Sequence, residues 1–110
     1  MRKLVIISAF LFLSISSPSY ANTNYQNARA AVTEVFGSYA SQAMSVVRCE
    51  TGGTYSVYAH NGQYLGLFQM GSNERATYGH SWTALGQARA AYRYFVASGR
   101  DWSPWSCRPY

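Results

Sequence analysis

The chain has 110 residues, nine Lys or Arg against four Asp or Glu, a formal net charge of +5 and 16% aromatic residues. That length holds one small domain with a thin core, and two cysteines with two histidines at scattered spacing make no recognisable zinc pattern. The basic balance points toward nucleic acid in general, but no basic cluster is present, so nucleic acid is not the expected partner.

Residues 1–21 read as a secretory signal. Met1-Arg2-Lys3 is followed by the apolar run Leu4–Ile15, broken only by Ser8 and Ser14, and then by small residues with Ser19 and Ala21 at the cleavage positions. The run is short of the roughly 20 apolar residues a membrane helix needs, so no stable membrane span is expected after cleavage; a retained anchor is the alternative. Removing Arg2 and Lys3 leaves seven arginines and four acids, a charge of +3, on an expected domain of residues 22–110. Export to the periplasm, cell wall or medium follows. In that setting Cys49 and Cys107 are expected to form one disulfide.

Asn22–Asn24 reads as a polar lead-in to a helix starting at Tyr25. Its apolar residues Ala28, Ala31, Val32 and Val35 recur at three and four, with Phe36 beside the last and Gly37 as the stop. Ser38 is expected to cap a second helix with the stripe Ala40, Ala43, Met44 and Val47. Three more residues bring that face to Glu50, so a carboxylate stands at the inner end of an apolar stripe. Gly52-Gly53 closes the helix.

From Thr54 to Gly71 the chain becomes rich in glycine and aromatic residues. Tyr55–Tyr58 and Gln63–Gln69 read either as short strands around an Asn61-Gly62 turn or as irregular loop. Ser72 is expected to cap a short helix through Tyr78, closed by Gly79. Ser81 or Thr83 then opens the longest helix, with Leu85, Ala88, Tyr92, Phe95 and Val96 inward, Gln87, Arg89 and Arg93 on its flanks, and Gly99 at its end. The tail from Arg100, rich in proline and tryptophan, reads as an ordered strap held by Cys107.

Glu50 is the leading candidate for chemistry. A general acid must keep its proton near the working pH, and an apolar setting raises a carboxyl pKa toward that range. A disulfide at Cys49 would pin its helix end; the plain alternative is a helix-end Glu in solvent. Gln69 and Asn61 offer donors and acceptors suited to N-acetyl and hydroxyl groups, and Tyr58, Tyr64, Trp102 and Trp105 offer flat apolar faces with polar edges. Each has a structural alternative: Gln69 satisfying a turn, Trp102 and Trp105 packing the strap. Phe68, Tyr92 and Phe95 read as core, and His60 and His80 as surface or structural residues.

Cys49-Glu50-Thr51-Gly52-Gly53, Asn61 through Met70, Gln87 through Ala91 and Trp102 through Cys107 together resemble the small lysozyme-like wall-lytic domains. That group includes bacterial transglycosylase-like domains and the resuscitation-promoting factors. Its signature is Cys-Glu-Ser-Gly, often with a second glycine, then a glycine-containing stretch ending in Gln-Phe or Phe-Gln, and a late Trp…Cys. The similarity runs from about Ala28 to Cys107. It implies a compact, mainly α (or α+β) lysozyme-like fold with a substrate cleft between a helical lobe and a small loop or strand lobe. The family's catalytic glutamate falls on Glu50. Thr51 stands where serine is usual and keeps the hydroxyl, and Gln69 matches a cleft glutamine that hydrogen-bonds sugar. With Tyr64 and the Asn61-Gly62 turn, the implied substrate-binding set is Thr51, Asn61, Tyr64 and Gln69.

The resemblance implies cleavage between N-acetylmuramic acid and N-acetylglucosamine in peptidoglycan glycan strands, without metal or organic cofactor. Glycoside hydrolysis ordinarily takes two carboxylates, and Glu34 reads as surface, so a single acid suits a lytic transglycosylase that leaves a 1,6-anhydro end. Hydrolysis of the lysozyme type is the near alternative if Asp101 or Glu74 activates water. A non-catalytic glycan-binding or signalling module, and a secreted structural or inhibitory peptide, are the alternatives of other classes. A wall-associated or secretion-related protein is the expected partner for placement.

Overall fold

Small apolar residues at helical spacing decide where the first helix buries itself. In the computed structural model, which describes residues 20–110 with side chains from Thr23 onward, α1 (Tyr20–Phe36) turns Ala28, Ala31, Val32 and Phe36 inward. All but the last two residues of the expected leader, residues 1–21, lie outside the described residues. Asn22–Asn24 is not a lead-in: it continues α1, because no proline or glycine interrupts it. The Asn24 amide donates to the Thr54 carbonyl at 3.4 Å, tying this turn to a loop 30 residues away.

Gly37, at φ +54°, ends α1 as expected. A 3₁₀ turn (Gly37–Tyr39) follows, so Ser38 caps nothing; α2 (Ala40–Glu50) starts behind Tyr39 with no side-chain cap. The helix buries Ala43 and Val47 from the expected stripe, and Val46 as well. It closes over Thr51, with Gly52 and Gly53 in left-handed geometry and the Gly53 N–H donating to the Arg48 carbonyl at 2.8 Å.

The glycine-rich lobe forms a minimal antiparallel hairpin, β1 (His60–Asn61) and β2 (Tyr64–Leu65), with Asn61 opposite Tyr64. Its turn is Gly62-Gln63, one residue later than the expected Asn61-Gly62 turn, and Gly62 supplies the positive φ of +61°. Tyr55–Tyr58 is not a strand; Tyr55 itself sits at φ +53°. In α3 (Ser72–Tyr78) the capping position is Gly71, while the Ser72 hydroxyl donates to Gln63 Oε1 at 2.9 Å. In α4 (Ala84–Ala97) Thr83 accepts the Gly86 N–H at 3.0 Å. With 14 residues α4 is shorter than the 17-residue α1, so it is not the longest helix. It buries Gln87, Ala88, Ala90, Ala91 and Phe95, and leaves Val96, near its end, exposed.

α1 packs on α2 and α4, and the strap closes the core between them. Phe36 is the hub: its ring lies 5.5 Å from Phe68, 5.2 Å from Tyr92 and 5.7 Å from Trp102. Both strap indoles are buried with their N–H groups satisfied, as large amphipathic rings require. Trp102 donates to Gln42 Oε1 at 2.9 Å and Trp105 to the Phe68 carbonyl at 3.0 Å. Cys49 and Cys107 are joined. The described chain is therefore mainly helical, with one two-stranded sheet and one disulfide. Among the described residues no helix is long and apolar enough to cross a membrane.

Candidate functional site

Glu50 is the last residue of α2, one residue after the disulfide-bonded Cys49 and half-buried. Burial of its carboxyl raises the pKa above the ordinary 4.5, and a hydrogen bond from the Cys107 N–H to Oε2 at 3.2 Å acts weakly in the other direction. The result is an acid held at two points, by its helix and by the strap, and inclined to stay protonated.

Glu50 opens onto a pocket of about 370 Å³. The hairpin contributes Asn61 and Tyr64, the following segment Gln69, Met70 and Gly71, the helices Glu74 and Tyr94, and the strap Pro104, Trp105 and Ser106. Three of the four residues expected to bind substrate, Asn61, Tyr64 and Gln69, therefore line one pocket with Glu50. Gln69 is held at φ +46°, an uncommon conformation for a non-glycine residue. Its amide nitrogen donates to the carbonyls of Ala59 (3.0 Å) and Gly66 (2.9 Å). Two acceptor partners fix which end of the amide is nitrogen, leaving Oε1 without a protein donor among the described residues. Gln69 thus satisfies its turn and lines the pocket at once.

Thr51 is the exception. It is 7% exposed and does not line the pocket. Its hydroxyl donates to the Val47 carbonyl at 2.8 Å and accepts the Tyr55 N–H at 2.9 Å, so it is spent on closing α2 and directing the next loop. The structure thus places Thr51 apart from the pocket that Asn61, Tyr64 and Gln69 line. Of the tryptophans, Trp102 is core and Trp105 is mostly core with an edge at the pocket.

The carboxylates separate as well. Glu74 lines the pocket; Asp101 does not, and its Oδ1 accepts from the Ser103 N–H at 2.9 Å and the Tyr110 hydroxyl at 3.3 Å. Glu34 is exposed, 4.0 Å from Arg89. Among the described residues no group of three His, Cys, Asp or Glu is placed to hold a metal.

Two residues here escaped the sequence reading. Tyr94 lines the pocket, its ring 5.0 Å from Tyr78 and 4.8 Å from Trp105. Its hydroxyl pKa is raised, first by burial and then by the negative charge of Glu74 and by Tyr78. Gln87, expected on a flank, is 5% exposed. Its Oε1 accepts the Leu67 N–H at 2.8 Å, and its Nε2 donates to the carbonyls of Val57 (3.0 Å) and Ser81 (2.9 Å). The signal for both was the spacing of Gln87, Ala91 and Tyr94 at four and three, a stripe beside the one chosen as the buried face. No family model matches the chain, and neither a curated protein nor a solved structure matches it.

Proposed function

We propose that this chain is an exported, lysozyme-like peptidoglycan-cleaving enzyme, a lytic transglycosylase with Glu50 as its acid and base and the pocket beside it as part of the glycan cleft. The observation that carries the reading is the half-buried Glu50 carboxyl, disfavoured as an anion and held by the Cys107 N–H at the wall of a pocket rich in amide and phenol groups. Glu50 gives its proton to the oxygen between N-acetylmuramic acid and N-acetylglucosamine as the bond to the muramyl anomeric carbon breaks. The resulting carboxylate then takes the proton of the muramyl 6-hydroxyl, whose oxygen bonds to that carbon and closes a 1,6-anhydro ring. Glu50 ends protonated, and neither water nor a second carboxylate is consumed. Asn61, Tyr64 and the free Oε1 of Gln69 orient the sugars. Outside the cytoplasm the Cys49–Cys107 bond persists, and a wall-associated or secretion-related partner places the small domain on its polymer.

Glu74 favours a second reading, because it lines the same pocket and two carboxylates permit hydrolysis. Mass spectrometry of soluble products from peptidoglycan treated with the oxidised protein separates the two. Anhydromuropeptides from the native protein and from Glu74→Gln, with none from Glu50→Gln, are expected. Reducing-end products that vanish in Glu74→Gln would replace transglycosylation by hydrolysis. A native protein yielding no products would sink the enzymatic reading.

A further inference from the structure

The rings of Phe36, Phe68, Phe95, Trp102 and Trp105 are all nearly inaccessible, the most exposed being Trp105 at 4%. Against that background Tyr58 is 68% exposed and Trp82 50%. Their rings lie side by side, centroids 5.5 Å apart and planes inclined by 24°, with the His80 ring edge-on to Trp82 at 4.6 Å. Contiguous exposed apolar patches mark interaction sites, whereas exposed apolar residues scattered singly need no explanation.

A hollow of about 250 Å³ adjoins Trp82, lined among others by Asn24, Asn27, Tyr55, Val57 and Thr83. It shares no residue with the Glu50 pocket, and none of its lining residues is charged. Asn27 has no side-chain hydrogen bond among the described residues, and Asn24 has only the long one to Thr54. Burial and then the charge of Arg75 push the His80 pKa below its ordinary 6.5, so positive charge is disfavoured beside the stack.

We infer that the Tyr58–Trp82 stack and its neutral, amide-bearing hollow are a second carbohydrate site, taking an N-acetylated glycan strand. The ligand follows from complementarity. The C–H faces of a sugar ring sit on aromatic faces, and carboxamides and a hydroxyl serve N-acetyl and hydroxyl groups around the rim. An acidic peptide or anionic polymer would call for arginine, and the hollow has none although the described chain carries seven. Tyr58 lies three residues before the pocket residue Asn61 on the same lobe. The stack therefore adds a second foothold on a long polymer, which raises retention by effective concentration and leaves the chemistry unchanged. The choice of glycan rests on the function proposed above.

The test is calorimetric titration of the full oxidised chain and its Glu50→Gln variant with an N-acetylglucosamine hexamer. It is paired with retention on insoluble peptidoglycan and with cleavage of short soluble strands. Both proteins should bind the hexamer. Trp82→Ala, and Tyr58→Leu, which keeps an apolar cover over the loop, should each weaken binding by about tenfold. Both variants should wash off insoluble peptidoglycan while cleaving short strands at the native rate. Trp82-dependent binding by a native protein that cleaves nothing would keep this site and remove the enzymatic reading. Unchanged hexamer affinity in both variants, or no hexamer binding at all, overturns the site whatever the activity, and marks the patch for a protein partner.

Discussion

A carboxyl group at the end of α2 meets two opposed demands, since burial asks it to be neutral and the Cys107 N–H rewards it for being charged. Burial is the larger effect, so native Glu50 holds its proton more tightly than the unfolded chain does. Its contribution to stability is therefore full below the ordinary carboxyl value of 4.5 and is lost as pH rises through the raised native pKa. Glu50→Gln removes that slope while keeping an oxygen for Cys107. Thermal melts should show the variant gaining stability relative to native as pH rises through and above the ordinary carboxyl value of 4.5. A constant difference over that rise would mean that Glu50 is not desolvated. With Glu50 as the proposed acid, the same titration would set an alkaline limit on activity, because a deprotonated Glu50 cannot donate. The fall of kcat/KM with rising pH should follow Glu50 and survive in Glu74→Gln; a limb that moves in Glu74→Gln would put the acid on Glu74 instead.

At the scale of elements, α4 holds the hairpin lobe through one side chain. Gln87 answers Leu67, Val57 and Ser81, three backbone groups from three different loops. Gly66 has to be glycine here: its φ is +83° and a β-carbon would collide with the Gln87 amide. Gln87→Met keeps the volume and removes the three bonds, leaving the buried Leu67 N–H unpaired. It should cost about 2–3 kcal/mol in urea unfolding, with product formation falling further than stability explains because Gln69 loses its frame. A loss within a few tenths of a kcal/mol would show that water replaces the amide. Such a knot was not legible in the sequence. Periodicity gave the buried face of α1 and part of those of α2 and α4, because burial repeats with the helical turn, and Gly37, Gly52 and Gly99 marked their ends. The partners of Gln87 are 20 and 30 residues away for Leu67 and Val57, and the path of the loops decides them. The separation of Thr51 from the pocket was illegible for the same reason, its hydroxyl being captured by the Tyr55 N–H across a turn with no periodic signature.

Across the whole molecule the candidate site exists only when distant parts of the chain meet. Glu50, Asn61, Tyr64 and Gln69 were legible as a group from the order of their motifs. Glu74 and Tyr94 join them only through the packing of α3 on α4 and of Tyr94 on Trp105, which no local pattern encodes. What closes the assembly is the strap. The Cys49–Cys107 bond spans 58 residues, and the loop-entropy account assigns such a crosslink about 4 kcal/mol. The same segment buries Trp102 and Trp105 and carries the N–H that holds Glu50. Cys49→Ser with Cys107→Ser should therefore lower the melting temperature by roughly 15 °C or more in a domain of this size. Near-ultraviolet circular dichroism should change more than far-ultraviolet, since buried indoles loosen before helices unwind. A further consequence separates positioning from stability. At a temperature where the double variant is still folded, its kcat should be depressed and its alkaline limb should shift upward, because the lost Cys107 hydrogen bond had favoured the carboxylate. A variant that is only less stable, with native kcat and an unmoved limb below its melting range, would show that the strap staples the fold without aiming the acid.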